Sequence, residues 1–206
     1  MLVTGQKLLA KTGMEVAGVR VITGIAKGYR LESVKGLKTR PTSDRVKESL
    51  FSILGDKAAA GMFLDLYAGS GAIGIEALSR GAPAAVFVDN SRAAVQVIRR
   101  NLERVGLAEL AEVHKADVER AISLFARRKL DFGCIFLDPP YLSGRAQAAL
   151  AAIDRSNLAG PETLVIVEHA KQEKLPERVG NLELCRVQSY GDTEISFFVR
   201  QDSIDY

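Results

Sequence analysis

Four consecutive residues, Asp138, Pro139, Pro140 and Tyr141, have the chemistry to hold a flat amino group. The two prolines fix the backbone and contribute no N–H, so the carbonyl oxygens around them are held rigidly and point outward. The Asp138 carboxylate and the Pro139 carbonyl would accept the two protons of an exocyclic base amine, whose lone pair would then face an electrophile. The Tyr141 ring offers a stacking surface worth about 1–3 kcal/mol per base. The alternative is a rigid loop that only ends a strand, with Tyr141 packed in the core.

A glycine-rich turn with the pattern GxGxxG runs from Gly69 to Gly74. Such a turn between a strand and a helix lets a ligand approach the backbone closely at the N-terminus of the helix. NAD and other nucleosides use the same turn, and a tight turn that binds nothing is the remaining alternative. The pattern therefore indicates a nucleoside site without choosing the nucleoside.

Three aspartates, Asp65, Asp89 and Asp117, are predicted at the ends of three successive strands. Ligands bind outside the carboxyl ends of such sheets, so these carboxylates should converge on one crevice. There Asp89 would accept hydrogen bonds from ribose hydroxyls or cap the next helix, and Asp117 would accept one from an adenine amine. The acids would repel the pyrophosphate of NAD. The sulfonium and α-amino groups of S-adenosylmethionine are positive, so the acids fit that ligand better. The predicted cofactor-binding residues are Asp65, Tyr67, Ala68, Gly69, Ser70, Gly71, Asp89, Asn90, Asp117 and Val118.

The elements that position these residues alternate short apolar runs with amphipathic stretches. Apolar strands separated by helices indicate a parallel sheet covered on both faces, and two closing strands without a helix between them indicate an antiparallel edge. We therefore predict an α/β fold in which the fourth strand borders the first. The predicted strands are 63–67, 84–88, 110–116, 131–137, 163–167, 182–190 and 194–200, and the helices between them are 72–80, 91–105, 118–128 and 145–153.

Positive charge is concentrated in the first fifty residues, which carry ten Lys/Arg against four Asp/Glu, although the 206-residue chain has a net charge of only +3. This distribution suits a polyanionic partner, or else it is a solvated basic face. We divide the chain into a flexible leader at 1–18, a basic arm of a hairpin and a helix at 19–56, and a S-adenosylmethionine-binding domain at 57–206. The cations of the arm are Arg20, Lys27, Arg30, Lys35, Lys38, Arg40, Arg45 and Lys47.

Composition excludes several classes of protein. The hydrophobic fraction of 47% is that of a globular protein, and no apolar run approaches the roughly 20 residues of a membrane helix. Cys134 and Cys185 are too few for a disulfide framework or a zinc cluster, and both are predicted in the core. His114 and His169 are predicted to be structural or surface residues. We expect a cytoplasmic monomer without a metal.

Four segments, LDLYAGSGAIGIEALSRGA, FLDPPY, TRPTSDRVKESLF and YGDTEISFF, resemble the RsmD-like bacterial 16S rRNA guanine-N2 methyltransferases. The resemblance runs from about residue 20 to residue 200. It implies a Rossmann-like class I fold with a mostly parallel seven-stranded sheet, S-adenosylmethionine as methyl donor, and catalytic roles for Asp138, Pro139, Pro140 and Tyr141. It also implies 16S rRNA or a small-subunit assembly particle as substrate. The predicted RNA-binding residues are Arg20, Lys27, Arg30, Lys38, Arg40, Thr42 and Arg45.

Three other functions remain open at this point. The tetrapeptide alone also fits adenine-N6 methyltransferases of nucleic acids, so the arm and tail segments carry the guanine assignment. An NAD-linked oxidoreductase and a non-catalytic RNA-binding assembly factor on the same fold are the others. For methyl transfer we expect an in-line reaction with a guanine that has left its stack, with positioning supplying most of the acceleration. The glycine loop and the tetrapeptide must then lie on the same side of the molecule.

Overall fold

The computed structural model describes residues 19–34 and 44–201. The predicted leader at 1–18 and the predicted contributions of Lys35, Lys38, Arg40 and Thr42 lie outside the described residues. Within the two described stretches, the chain forms one sheet with helices on both faces. The alternation of apolar and amphipathic segments predicted this arrangement.

Eight strands in the described residues form the sheet, in the order β3-β2-β1-β4-β5-β8-β7-β6. β1 to β5 are parallel, and β8, β7 and β6 follow as antiparallel neighbours. All seven predicted strands are present; the eighth, β6, is a pair of residues that is too short to show a sequence pattern. The strands are β1 Met62–Leu66, β2 Ala85–Asp89, β3 Ala111–Lys115, β4 Phe132–Leu137, β5 Leu164–Ala170, β6 Arg178–Val179, β7 Leu182–Tyr190 and β8 Thr193–Arg200.

Five α-helices occur in the described residues, and local signals explain where several of them begin and end. The Ser91 hydroxyl accepts a hydrogen bond from the Ala94 N–H and caps the helix that follows β2. Gly106 ends that helix in the left-handed conformation, as a C-terminal glycine cap does. The helices are α1 Asp44–Leu54, α2 Ala72–Ser79, α3 Arg92–Val105, α4 Val118–Arg127 and α5 Arg145–Ser156.

The sheet separates two hydrophobic layers, because side chains alternate between its faces. Phe63 of β1 and Phe87 of β2 belong to the layer formed with the arm, α1, α2 and α3. Leu64 and Leu66 of β1 belong to the layer formed with α4 and α5. Both layers reach the carboxyl ends of β1 and β4, so the loops that follow these strands stand on a rigid base.

The arm folds back on itself but does not form the two paired strands of the predicted hairpin. An isolated bridge joins Arg20 and Arg30, and the Val21 N–H donates to the Tyr29 carbonyl at 2.9 Å. The N–H groups of Ile22 and Thr23 instead donate to the Glu76 carboxylate of α2, at 2.7 and 3.0 Å. A hairpin ladder cannot extend because these donors are already used by a helix of the main domain.

Lys47 of α1 is fully buried, so its predicted place among the cations of the arm, either on a surface for a polyanionic partner or on a solvated basic face, is wrong. Its ammonium group donates to the Arg20 carbonyl and lies 3.5 Å from the buried carboxylate of Glu76. Burial lowers the pKa of Lys47, while the charge of Glu76 opposes that change. The Arg80 guanidinium also contacts Glu76, at 2.9 Å. These charges fasten the arm and α1 to α2.

The two cysteines differ in environment. Cys134 of β4 is buried as predicted, and burial raises the pKa of its thiol to about 11. Cys185 of β7 is exposed, so its predicted place in the core is wrong. β7 is paired with only two residues of β6 on its outer side, which leaves most of that strand open to solvent. His169 is a buried residue of β5 that contacts the Ser196 hydroxyl at 2.8 Å, in accordance with a structural role.

Candidate active site

The glycine loop and the tetrapeptide follow neighbouring strands of the sheet. β1 and β4 are parallel partners, with Leu66 opposite Leu137. The Asp138 N–H points to the Leu66 carbonyl, with 3.5 Å between nitrogen and oxygen, at the point where β1 and β4 both end. Both loops therefore open at the carboxyl end of the sheet, beside each other, as the sequence predicted.

The glycine loop is built from left-handed backbone and internal hydrogen bonds. Tyr67, Gly69 and Gly71 have positive φ angles of 63°, 54° and 79°. The Ala68 N–H donates to the Val88 carbonyl at 2.9 Å, and the Gly71 N–H donates to the Ala68 carbonyl at 2.7 Å. The loop thus turns sharply from β1 into α2 and leaves the first turn of that helix next to the crevice.

The third glycine of the pattern has a packing role. A Cβ atom on Gly74 would lie 2.3 Å from Cε1 of Phe87 on β2, closer than any real contact. Glycine at this position lets α2 approach the sheet closely, which is the purpose of the third glycine in such turns. A larger residue at position 74 would push α2 away from the sheet and displace the glycine loop.

Two of the predicted cofactor-binding acids brace the glycine loop. A buried Asp65 oxygen accepts the Gly74 N–H at 3.0 Å, and one Asp89 oxygen accepts the Gly69 N–H at 2.9 Å. The other Asp89 oxygen accepts the Ser91 N–H at 2.8 Å, so the predicted helix-capping role of Asp89 is present. A carboxylate oxygen has two acceptor sites, so Asp89 keeps capacity for a ligand. Burial raises the pKa of Asp65 to about 7.

The remaining predicted cofactor residues surround the same edge of the sheet. Asp117 follows β3 and caps α4 by accepting the Glu119 N–H at 3.1 Å. Asn90 and Asp117 are exposed, whereas Val118 is buried. Burial raises the pKa of the Tyr67 phenol to about 12, and the positive charge of Arg145 opposes this change. Three carboxylates thus lie at the ends of three neighbouring strands, as predicted.

The tetrapeptide combines a partly buried acid with an exposed ring. Burial raises the pKa of Asp138 well above its usual range, and the negative charges of Glu168 and Asp65 raise it further. Pro139 is buried and Pro140 is exposed. The Tyr141 side chain is 40% exposed, which excludes the alternative in which it is packed in the core.

The hydroxyl of Tyr141 is held even though its ring is open. The Tyr141 hydroxyl donates to Glu168 Oε1 at 3.1 Å, and the Thr193 hydroxyl lies 3.2 Å from the Tyr141 hydroxyl oxygen. The next residue, Leu142, donates its N–H to Glu173 Oε2 at 2.9 Å. No sequence pattern predicted Glu168, Thr193 or Glu173 in this site.

Four predicted RNA-binding residues lie in the described part of the arm: Arg20, Lys27, Arg30 and Arg45. All four are exposed. Arg20 also pairs with Asp44 at 2.8 Å, so part of its charge is already compensated. Lys27 belongs to the turn that contacts Ser79 at the last residue of α2. Since α2 spans eight residues, that turn lies about 12 Å along the helix axis from the glycine loop.

Asn101 of α3 connects the arm to the glycine loop and was also not predicted. Its side-chain amide accepts the Glu32 N–H at 2.8 Å and donates to the carbonyls of Glu32 and Ser70, at 3.0 and 2.9 Å. The residue is fully buried. A lone asparagine between amphipathic positions of a helix gives no sequence signal for such a role.

Metal and membrane functions gain no support from the described residues. Among residues 19–34 and 44–201, no group of three or more His, Cys, Asp or Glu side chains could hold a metal ion. No helix in these stretches is both long and apolar enough to cross a membrane.

The topology and the two adjacent loops define the class of this protein as a Rossmann-like class I methyltransferase fold. A family described as "Conserved hypothetical protein 95" matches residues 19–199. The chain belongs to this family, and it is an rRNA methyltransferase of the RsmD type.

Its relatives and structural neighbours agree with this classification. "Putative rRNA methyltransferase YlbH" of Bacillus subtilis (strain 168) is 42% identical over 89% of this chain and 100% of its own length. "Ribosomal RNA small subunit methyltransferase D" of Escherichia coli (strain K12) is 30% identical over 89% of this chain and 90% of its own.

Two solved structures have a similar fold. "Putative methyltransferase yhhF from Escherichia coli" is 31% identical, with a TM-score of 0.75 over 90% of this chain and 99% of that one. An RNA methyltransferase from Salinibacter ruber in complex with S-adenosyl-L-homocysteine shares the fold at 18% identity, with a TM-score of 0.62 over 81% of this chain and 98% of that one.

Proposed function

We propose that this protein transfers a methyl group from S-adenosylmethionine to the exocyclic N2 amine of a guanine in 16S rRNA. The observation that carries the proposal is the adjacency of the glycine loop and the tetrapeptide at the ends of β1 and β4. A donor in the first loop and a base amine in the second would meet at one crevice. The name of the Escherichia coli relative, a small-subunit rRNA methyltransferase, supports the choice of RNA.

The charge of the crevice favours a cationic donor. Asp65 and Asp138 both have raised pKa values, because burial and neighbouring carboxylates disfavour their charged forms. A positive ligand would lower both pKa values and relieve this repulsion, whereas a pyrophosphate would increase it. S-adenosylmethionine supplies a methyl group on a positively charged sulfur, and the Salinibacter ruber structure contains its demethylated product. These residues therefore fit the donor that we propose.

The tetrapeptide would hold the nucleophile. In the proposed site the Asp138 carboxylate and the Pro139 carbonyl accept the two N–H protons of the base amine, which leaves the nitrogen lone pair directed at the methyl group. The Tyr141 ring stacks the base after it has left the RNA helix. Asp138 also accepts the proton that the methylated amine releases, for which its raised pKa suits it.

The arm would hold the RNA around the flipped base. Arg20, Lys27, Arg30 and Arg45 are exposed cations on this arm, and phosphate contacts of this type make binding weaken with rising salt. We further propose a cytoplasmic monomer that acts on 16S rRNA or on a small-subunit assembly particle.

The experiment is methyl transfer from labelled S-adenosylmethionine to 16S rRNA and to small-subunit particles taken from a strain that lacks the protein. Mass mapping should find N2-methylguanosine at one position. Asp138→Ala should abolish the label, and Asp131→Ala should retain it, because Asp131 is an exposed aspartate just before the other end of β4. N6-methyladenosine in the product, or label in Asp138→Ala equal to wild type, would contradict the proposal.

A further inference from the structure

Glu168 is a buried carboxylate that directly follows an apolar run in β5. It follows Leu164, Val165, Ile166 and Val167 in β5 and is only 4% exposed. A buried carboxylate costs free energy unless hydrogen bonds or charges compensate it. Residues that break a local rule in this way are expected at functional sites. Glu168 contacts the tetrapeptide loop through the Tyr141 hydroxyl.

The register of β5 and β8 brings Glu168 and Thr193 to the same face of the sheet. Glu168 is opposite Ile195, and Ala170 is opposite Thr193. Because side chains alternate along a strand, Glu168, Ala170, Thr193 and Ile195 share one face. Glu168, near the carboxyl end of β5, and Thr193, the first residue of β8, thus lie under the tetrapeptide loop. We call these two residues the polar ledge; β8, in the antiparallel part of the sheet, supplies one of them.

Both residues of the polar ledge form hydrogen bonds with the hydroxyl group of Tyr141. The phenol has a single proton, which it donates to Glu168 Oε1, so the Thr193 hydroxyl must donate its own proton to the phenol oxygen. Both hydrogen bonds are at the far end of the ring, while the ring itself is 40% exposed. A ring fixed at its tip cannot swing on the loop, although its face remains open to a ligand.

We propose that Glu168 and Thr193 are positioning residues, which hold the Tyr141 hydroxyl and thereby fix the ring face on which the target base stacks. This inference rests on the proposed function, since it requires a base at Tyr141. Attack geometry is sensitive to small displacements, and an error of about 1 Å can cost a hundredfold in rate. A loosened ring would therefore lower turnover without affecting the donor loop.

Glu168 has a second, electrostatic effect. Its charge, together with that of Asp65 on β1, faces Asp138 and disfavours the ionised form of that acid. Tyr141, which is neutral, is the other titratable group at this position. Replacing the Glu168 carboxylate by an amide removes one negative charge and should lower the pKa of Asp138. The acid limb of the pH profile of activity should then move to lower pH.

The experiment compares Thr193→Val, Tyr141→Phe and their double variant, with Glu162→Gln as a matched control at an exposed glutamate before β5. Thr193→Val and Tyr141→Phe should each lower kcat/KM for RNA by about three- to tenfold, as loss of a hydrogen bond does. The double variant should be no worse than the poorer single variant, because both changes remove the same contact. Binding of S-adenosylhomocysteine, measured by calorimetry, should stay within about twofold of wild type in all of them.

Glu168→Gln tests the electrostatic effect. Its readout, the position of the acid limb of the kcat/KM profile, distinguishes that effect from a folding defect. The acid limb of its kcat/KM profile should lie about one pH unit below that of wild type. The same displacement should persist when Tyr141→Phe is added, since the charge acts on Asp138 and not through the phenol. A merely structural role would change the melting temperature and all kinetic constants together and would leave the limb in place.

Additive losses in the Tyr141→Phe and Thr193→Val cycle, or wild-type kcat/KM in both single variants, would overturn the inference. So would an acid limb in Glu168→Gln that coincides with that of wild type. These outcomes can be told apart from a failure of the proposed function. If the methylated nucleoside proves to be an adenine, the cycle can still be measured on that RNA, and only the identity of the base changes.

Discussion

The two loops of the candidate active site are held in place by different means. The glycine loop is held through its backbone groups, since the N–H groups of Gly74 and Gly69 donate to the Asp65 and Asp89 carboxylates. The tetrapeptide loop has two prolines without N–H groups. Its outer end is held by three side chains from elsewhere in the chain: Glu168 of β5, Thr193 of β8 and Glu173, which follows β5.

This difference separates the expected effects of substitution. A change in the glycine loop breaks contacts that also join β1, β2 and α2, so stability and donor affinity should fall together. A change in the tetrapeptide removes groups that face a ligand, so turnover should fall while stability is kept. The two loops meet at Leu66 and Asp138, and variants on either side of that point test the distinction.

Asp138→Ala should have the largest effect and should leave the fold intact. We expect kcat to fall by about a thousandfold, since positioned proton acceptors typically contribute factors of 10²–10⁴. The melting temperature at pH 8 should equal or exceed that of wild type, because a carboxyl with a raised pKa costs free energy when it is ionised. Single-turnover methylation and thermal unfolding measure the two quantities. A variant that loses its stability along with its activity would erase the distinction between the loops.

Gly74→Ala should damage the glycine loop through packing. The added Cβ would meet the Phe87 ring at 2.3 Å, and overpacking of this kind costs about 1–3 kcal/mol. We expect that loss in the free energy of unfolding, together with weaker binding of S-adenosylmethionine by calorimetry. Adding Phe87→Leu should restore part of both losses by making room. No rescue, or lost affinity with unchanged stability, would show that the close contact is not the cause.

The sequence predicted the sheet and the placement of both loops because these depend on local patterns. Apolar runs gave β1 to β5 within a few residues, and glycines at Gly81 and Gly106 lie just after α2 and α3. Asp65 and Asp89 could be placed at strand ends because they follow apolar runs, and Asp117 because it follows the weaker third strand. Parallel pairing then brings such ends to one edge of the sheet.

The contacts that hold the loops could not be predicted, because they depend on partners far along the chain. The apolar pattern ended the fifth strand at Val167, since a charged residue follows, whereas β5 continues through Glu168 to Ala170. The charge of the arm likewise predicted an exposed Lys47, either to bind a polyanion or to face solvent. Its partner Glu76 is a buried charge on α2, and periodicity alone assigns charges to the exposed face.

Asn101→Leu tests whether the glycine loop is as self-supporting as its internal hydrogen bonds indicate. The substitution leaves the Ser70 carbonyl and both backbone groups of Glu32 without their partner, and such losses cost about 1–3 kcal/mol. We expect lower stability and about a threefold weaker affinity for S-adenosylmethionine, because the Ser70 peptide can move. Gln96→Leu, at an exposed position of the same helix, is the control. Unchanged affinity would mean that the loop needs no support from α3.

Asp65→Asn should have the smallest effect at acid pH, where Asp65 is protonated, and the change of its effect with pH identifies the cause. The pKa of Asp65 is about 7 in the folded protein against an ordinary value of 3.8. The folded state therefore binds a proton more tightly than the unfolded state, and this contribution to stability is present in full below pH 3.8 and is lost as pH rises through 7. One such proton changes the free energy of unfolding by at most about 1.4 kcal/mol per pH unit. The asparagine variant keeps an oxygen for the Gly74 N–H but cannot ionise, so its stability should decline less than that of wild type between pH 4 and pH 7. Denaturant unfolding at several pH values measures the difference. Parallel curves for the two proteins would mean that Asp65 is already solvated or paired, and that the glycine loop does not contain the buried acid on which its preference for a cationic donor depends.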